Sequence, residues 1–381
     1  MTTYAAPPVR FVEGHGSRLT DDAGRSYLDF LSGLAVTSLG HSHPRVAEAL
    51  SAQAGRLWHV SNLFGNELAE PLAHRIDELI GDGTPAGGRV FFANSGAEAN
   101  ECAIKLARKG SGPGRHHVVS AYGSFHGRTL ATLHATGQPE KHEAFQPLPD
   151  GFCHVAFGDM EALGRAADPT VVAAVMLEPI QGEGGVIPAP EGYLEEVRHL
   201  CDERGLLLIL DEIQTGLGRT GRWFGFQAAS IRPDVVTIAK ALGNGMPIGA
   251  CWARAEVAAA FQPGDHGSTF GGQPLACSAA IATLDELQRI GAPRRAEEAG
   301  ARLASGLEAL PGVSHVRGRG LLLGAVLDAG RPAAREVVAS ALDHGLVINA
   351  PAPDVLRFAP PLNVSTAEID EALAILGKVL A

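Results

Sequence analysis

No two cysteines in this chain stand in a C-x-x-C spacing. The five that occur, Cys102, Cys153, Cys201, Cys251 and Cys277, are scattered and odd in number, which excludes a disulfide scaffold and points to buried free thiols in a reduced compartment. Long apolar runs are missing too. Nothing approaches the ~18 consecutive apolar residues of a membrane span, and the opening MTTYAAPPVR has no apolar stretch of the secretory type. The chain therefore reads as cytoplasmic. Positive charge is scarce: 31 Lys and Arg stand against 42 Asp and Glu, a formal net charge of −11. Phosphate-backbone binding needs a basic face, and the one compact basic stretch, Arg317-Gly318-Arg319-Gly320, is too short to supply it. Repeats and low-complexity segments are absent. What is there is ordinary for a globular chain, 45% hydrophobic and 19% charged over 381 residues, enough for two domains and a large core.

The pattern is most informative between residues 206 and 250. Two short apolar runs each deliver one ionisable residue: Leu206 to Leu210 leads to Asp211, and Val235 to Ala239 leads to Lys240. Runs of this length without polar alternation read as strands buried on both faces of a parallel sheet. Ligands of open α/β sheets sit at the carboxyl ends of such strands. An Asp and a Lys there suit pyridoxal phosphate chemistry, the Lys as the amine that condenses with the aldehyde and the Asp as the partner that keeps the pyridine nitrogen protonated. Taken alone, the same two residues read equally as a helix N-cap and a solvated surface charge. Gly216, Gly218 and Gly221 satisfy G-x-G-x-x-G after a strand. No helix opens at Arg222-Trp223-Phe224-Gly225 and no acidic residue follows at the required distance, so this stretch reads as a loop.

Elsewhere the elements follow from local signals. Residues 10 to 31 read as hairpin strands, and Pro44 to Leu57 as a helix. His41 and His43 have no nearby acidic or Cys partner and read as the start of that helix. Val90 to Ala93 reads as a strand turning through Asn94-Ser95-Gly96-Ala97-Glu98 into a helix ending near Lys109, with Ser95 and Glu98 as a capping box. By itself this is an ordinary helix start, although its small first turn also presents the free backbone N–H groups that a phosphate requires. Strands are expected at His117 to Ala121, Val171 to Leu177 and Gly249 to Ala253, and a helix at Glu191 to Arg204. From about Gln288 the order changes to helix (Arg294 to Leu310), hairpin (Val313 to Leu327), helix (Ala333 to His344), strands (Leu346 to Asn349 and Val355 to Phe358) and helix (Thr366 to Leu380), an α+β pattern.

These motifs together resemble the class III, fold-type I aminotransferases over nearly the whole chain. The resemblance rests on NSGAEAN followed by AIKLAR, FHGRT at 125 to 129, EPIQGEGG after the strand ending at Leu177, DEIQTGLGRTG from Asp211, and Ala239-Lys240. It implies an α/β fold: a large domain around a mainly parallel seven-stranded sheet, residues 51–285, and a small α+β domain, 286–381, joined by the N-terminal segment 1–50. The implied cofactor is pyridoxal 5'-phosphate, held by Ser95, Gly96, Ala97, Phe125, Asp211, Ile213, Gln214 and Lys240, with Thr269 reaching the phosphate of a neighbouring subunit in a homodimer that shares its sites. Catalysis would fall to Lys240 and Asp211. Substrate contacts would come from Arg128, Glu183, Arg357, Ser268 and Leu34, with no metal.

In members of this group with a terminal amine as substrate, a Glu pairs with the second Arg for the amine half-reaction and swings away for 2-oxoglutarate; Glu183 and Arg357 occupy those positions. HVSNLF (59 to 64) and NAPAPDVLRFAPPL (349 to 362) are most similar to the branch that transfers the δ-amino group of N2-acetyl-L-ornithine to 2-oxoglutarate in arginine biosynthesis. Leu34, where ornithine-specific members carry a Tyr, agrees with an acylated donor. Another ω-amine donor (succinylornithine, ornithine, 4-aminobutyrate), or an aminomutase chemistry, stays open. Gln273 replaces a common Asn, and Asn244 interrupts a Gly-rich turn, which places cofactor affinity in question.

Overall fold

A computed structural model describes residues 1–381. Its strands are β1 (Phe11–His15), β2 (Arg18–Asp21), β3 (Ser26–Asp29), β4 (Gly88–Ala93), β5 (His117–Ala121), β6 (Phe152–Val155), β7 (Val172–Leu177), β8 (Ile180–Gln181), β9 (Ile187–Pro188), β10 (Leu207–Asp211), β11 (Val235–Ile238), β12 (Gly249–Arg254), β13 (Val313–Arg319), β14 (Leu322–Leu327), β15 (Leu346–Val347), β16 (Asn349–Ala352) and β17 (Val355–Phe358). The central sheet has seven strands in the order β4-β12-β11-β10-β7-β5-β6. Only β12 runs against its neighbours; the pairs β11–β10, β10–β7, β7–β5 and β5–β6 are parallel. The expected α/β architecture with a mainly parallel sheet is therefore present.

The unbroken apolar runs become strands covered on both faces. All of β7 and β11 is buried, and so is β10 from Leu208 on. Alternate residues go to opposite sides: Val175, Leu208, Leu210, Val236 and Ile238 join the large core, while Ala174, Met176, Ile209 and Val235 pack with Cys102, Ala103, Leu106 and Ala107 of the helix Gly96–Gly110. Full burial of such a side chain contributes roughly 1.5–3 kcal/mol. Strand parity then puts Asp211 on the same face as Ile209, towards that helix.

The four-stranded sheet β13-β14-β17-β16 packs with the helices Ala292–Glu308 and Ala334–Asp343, and the helix Thr366–Val379 packs on those two helices. The N-terminal strands form a separate sheet, β1-β2-β3-β15, closed by a parallel pairing of Leu346 with Leu28 and of Val347 with Asp29. The single strand expected at Leu346 to Asn349 thus divides, its first half serving the N-terminal sheet and its second the C-terminal one. The N-terminal segment also reaches the last helix, where Arg18 pairs with Glu371 and Ser17 bonds Glu368. The helix expected to run to Leu57 ends at Ala54. No helix is long and apolar enough to cross a membrane.

At the sheet edge, His154 on β6 lies among His134 and His142, ring centroids 6.3 and 5.9 Å away. Burial, then the two neighbouring imidazoles, lowers its pKa to about 4. The unfolded chain therefore binds a proton between about pH 6.5 and 4 that the folded chain refuses, so stability falls as pH drops through that window. The expected loss is roughly 2 kcal/mol after allowance for solvent screening. Thermal melts at pH 7 and pH 5 should show His154→Phe losing distinctly less Tm than the parent on acidification; equal losses would remove His154 as the cause.

Candidate active site

Where β10 and β11 end, a cavity of ≈ 380 Å³ opens, lined by Lys240, Asp211, Glu178, Glu183, Phe125 and the start of the helix Gly96–Gly110, among others. Asp211 closes β10 and is nearly inaccessible. Its Oδ2 accepts from Asn100 Nδ2 at 2.8 Å and from His126 Nδ1 at 2.9 Å, and its Oδ1 accepts from the Ile213 N–H at 3.1 Å. With Nδ1 donating to the carboxylate, His126 keeps Nε2 buried and without a partner. Burial works against a charged His126, but the bond to Asp211 and the nearby Glu178 outweigh it and raise its pKa.

Lys240 follows β11 with φ 42°, a left-handed conformation that L-residues seldom adopt outside sites that need it. Burial, seconded by the Arg357 charge, pushes its ammonium below the usual range against the pull of Glu183, Asp211 and Glu178. Desolvation of this kind favours the neutral, nucleophilic amine. Glu178 directly follows β7 and accepts from the Phe125 N–H at 3.0 Å. Burial raises its pKa, so this carboxyl holds its proton far above the normal range.

One end of the cavity is formed by a helix start, Ser95, Gly96 and Ala97. Ser95 Oγ accepts from the Glu98 N–H at 3.2 Å, capping the 15-residue helix Gly96–Gly110. The N–H groups of its first turn have no partner inside the helix. The expected capping box is only half present: Glu98 turns its carboxylate to Asn94, accepting from the backbone N–H at 2.9 Å and from Nδ2 at 2.8 Å. A Cβ at Gly96 would lie 2.6 Å from Ile213 Cδ1, so any side chain there would displace Ile213 from its place on the cavity wall.

At the other end Arg357, fully buried, donates to Glu183 Oε1 (2.5 Å), Asn349 Oδ1 (3.0 Å) and Gln214 Oε1 (3.3 Å). Its Nη2 and the Nε2 of Gln214 are buried without partners. Burial opposes ionisation of Glu183, yet Arg357 wins and holds its carboxyl below the ordinary range. Arg128 stands at the mouth, exposed, its guanidinium 5.5 Å from the centre of the Phe125 ring and in no ion pair.

The cavity thus gathers Ser95, Gly96, Ala97, Phe125, Arg128, Glu183, Asp211, Ile213, Gln214 and Lys240, with Arg357 behind Glu183. Ser268 and Thr269 do not join them. They line a separate cleft of ≈ 330 Å³ with Asn94 and Glu98, and Ser268 Oγ bonds Asn94 Nδ2 (3.2 Å) and the Gly271 N–H (2.9 Å). Leu34 does not line the cavity either; Val36, two residues on, does. His41 and His43 do not converge on a common point. Each has the acidic partner that the sequence did not reveal, Asp29 at 2.7 Å and Glu286 at 3.6 Å, and no group of three His, Cys, Asp or Glu is placed to hold a metal.

Gln273 and Asn244 face away from the cavity. Gln273 accepts from the Val60 N–H at 2.9 Å, and Asn244 ties the Leu39 N–H (2.8 Å) to the Gly40 carbonyl (3.1 Å). Asn100, His126 and Glu178 were missed, although each sits inside a motif already singled out: the final Asn of NSGAEAN, the second residue of FHGRT, and the Glu before Pro179.

Comparison with known proteins agrees with this geometry. The Aminotransferase class-III family profile matches residues 2–380. The acetylornithine aminotransferase of Caldanaerobacter subterraneus is 50% identical, with 100% of this chain and 97% of that protein covered. That of Corynebacterium efficiens is 49% identical, with 100% and 94% covered. A crystal structure of ornithine aminotransferase from Toxoplasma gondii, which has pyridoxal phosphate in partial occupancy at its active site, superposes with a TM-score of 0.93 at 37% identity, covering 100% of this chain and 91% of that one. With its strand-end Lys and Asp, its capped helix start in the same cavity and a match over its whole length, this chain belongs to the class-III aminotransferases.

Proposed function

We propose that the protein transfers the δ-amino group of N2-acetyl-L-ornithine to 2-oxoglutarate, giving N-acetylglutamate 5-semialdehyde and glutamate, a step of arginine biosynthesis, with pyridoxal 5'-phosphate as cofactor. The observation that carries the choice of donor is the state of the cavity's acids. Only Glu178, Glu183 and Asp211 line it. Glu183 is taken by Arg357, Asp211 by His126 and Asn100, and Glu178 by the Phe125 N–H, with burial disfavouring its charged form. No carboxylate is left for a free α-ammonium, so an acylated nitrogen suits the site better than that of ornithine. The 49–50% identity to proteins named acetylornithine aminotransferase supports the same reading.

The unpaired groups fit the cofactor. The first-turn N–H groups of Gly96 and Ala97, with Ser95, would receive its phosphate, Asp211 its ring nitrogen, and Gln214, whose Nε2 is an orphan, its ring hydroxyl. Ile213 and Phe125 would cover the two ring faces. When bound, pyridoxal phosphate supplies an aldehyde for condensation with amines and an electron-poor ring. The chain does the rest. Lys240 Nζ, kept in its neutral, nucleophilic form by desolvation, takes up and returns the proton of the carbon that bears the amine. Arg128, free at the mouth, grips a substrate carboxylate bidentately. Arg357 is masked by Glu183 while the amine donor is bound, and its unpaired Nη2 is ready for the second carboxylate of 2-oxoglutarate.

The active unit would be a homodimer in the cytoplasm. Leu63, Phe64 and Phe270 are exposed beside Asn62 and Ser268, whose carbonyl accepts from Asn62 Nδ2, an apolar surface that a second copy would cover. Thr269 would then meet the phosphate in the partner's cavity.

The substrate is tested by single-turnover absorbance of the cofactor-loaded enzyme with N-acetylornithine, ornithine or 4-aminobutyrate and no oxo acid. Fastest conversion with N-acetylornithine, reversed by 2-oxoglutarate, is expected. Faster conversion with another amine transfers the assignment to that ω-amine. In Glu183→Ala the mask on Arg357 is gone, so kcat/KM for glutamate relative to N-acetylornithine should rise at least about tenfold. An unchanged ratio would sink the switch.

A further inference from the structure

Ser32, Gly33, Leu34 and Ala35 have φ of 50°, 61°, 68° and 65° in succession. They form one turn of left-handed helix, closed by the Ala35 N–H on the Leu31 carbonyl (3.0 Å) and the Val36 N–H on that of Ser32 (2.7 Å). L-residues rarely enter this region singly, and a consecutive run crowds each Cβ against a carbonyl. Only one of the four is glycine. The surroundings must therefore impose the conformation.

They do so from both ends. Asp29 Oδ1 accepts from the Leu31 and Ser32 N–H groups, 2.9 Å each, and its Oδ2 pairs with His41 Nε2 at 2.7 Å. Beyond the turn, Arg219 donates to Ser38 Oγ at 3.0 Å. What the turn holds in place is part of the site. Val36 lines the cavity. Ala35 is buried in a small cluster with Ile180, Val186, Leu322 and Ala359, and Ile180 and Val186 flank the loop that carries Glu183.

We propose that Asp29, backed by His41, is a positioning residue for the transamination: it pins the left-handed turn Ser32–Ala35, which sets the substrate-facing wall at Val36 and the seat of the Glu183 loop. This rests on reading the cavity as the place where the amine donor binds. Asp29 does not line the cavity and acts through the backbone alone. If residues 32 to 35 relaxed to ordinary conformations, Val36 would withdraw and Ala35 would lose its packing.

Two variants test it, Asp29→Ala and Asp29→Ala combined with Ser32→Gly. Ser32 is the suitable second site because its hydroxyl is buried without a partner, so glycine there forfeits no bond and takes positive φ without a Cβ penalty. Asp29→Ala should raise KM for N-acetylornithine about ten- to a hundredfold, the factor of one or two charge-assisted hydrogen bonds, with kcat within about threefold and cofactor absorbance unchanged. Adding Ser32→Gly should recover most of that rise. A lowered Tm with unaltered KM would assign Asp29 to stability only and overturn the inference, as would a raised KM that Ser32→Gly leaves untouched. Amide hydrogen exchange over Leu31 to Ser38 needs no substrate: Asp29→Ala should speed it and Ser32→Gly should slow it again, and unaltered exchange would overturn the inference. Failure of the functional reading is seen separately, as a parent enzyme that turns over no amine.

Discussion

Lys240→Ala is expected to lower kcat/KM at least ~10⁴-fold, because the amine that captures the cofactor and the base that moves the substrate proton are lost together. The fold should survive. Lys240 contributes no salt bridge, and burial disfavours its charged form, so Tm should hold or rise slightly. Two measurements separate loss of chemistry from loss of structure. Borohydride treatment of the loaded parent should leave a phosphopyridoxyl group, the cofactor less one oxygen, on the peptide that contains Lys240, whereas the variant should gain nothing there. Small exogenous amines should return part of the activity, since the cavity vacated by the side chain can admit them. Activity within a hundredfold of the parent would require another residue to be the base, and no other lysine lines the cavity.

Asp211→Asn and Asp211→Ala should fail for different reasons. Asn keeps the size but offers one acceptor oxygen and no charge, so the pyridinium form is no longer favoured and kcat should drop about 10³–10⁴-fold. Ala removes more. His126 Nδ1 and the Ile213 N–H would lose their acceptor, while Asn100 Nδ2 keeps the His126 carbonyl at 2.7 Å; each orphaned group costs ~1–3 kcal/mol. Steady-state kinetics together with urea unfolding should therefore place Asn low in activity with stability close to the parent, and Ala low in both. An Asn variant with more than about a tenth of parental kcat would remove the ring-nitrogen role. His126→Ala and Asn100→Ala should fall between, since each removes one of the hydrogen bonds that orient the carboxylate.

The contrast between what could and could not be read beforehand follows from the range of the signals. Asp211 and Lys240 were legible because a buried parallel strand announces itself in a few consecutive residues, and the carboxyl end of such a strand is where ligands gather. The pairing of Glu183 with Arg357 spans 174 positions; nothing in either local stretch implies it, and only the resemblance suggested it. His126 and Asp211 are 85 positions apart, and a His beside an aromatic has no local signature of a carboxylate partner. The left-handed turn was invisible for a different reason. Leu34 and Ala35 carry no preference for positive φ, so their conformation is dictated by Asp29 and the packing around them. The placement of Val36 rather than Leu34 at the wall comes directly from that turn. The division of residues 346 to 352 between two sheets was hidden likewise, since both halves are equally strand-like.

The parallel pairing of β3 with β15 joins opposite ends of the chain, and beside it Arg18 and Glu371 meet across 353 positions of sequence. During synthesis the amino-terminal strands emerge first, and they wait for Leu346 and Val347 before their sheet is complete. The entropy of closing so wide a span must be met before the contact returns anything. The turn that brings Val36 to the cavity hangs from the end of β3, so the substrate wall becomes fixed only when the chain closes on itself. A ribosome stalled before Leu346 would carry the central sheet with Asp211 and Lys240 in sequence order, yet no finished binding wall. Competence for turnover thus waits on residues that follow the central sheet by about a hundred positions, Leu346 and Val347.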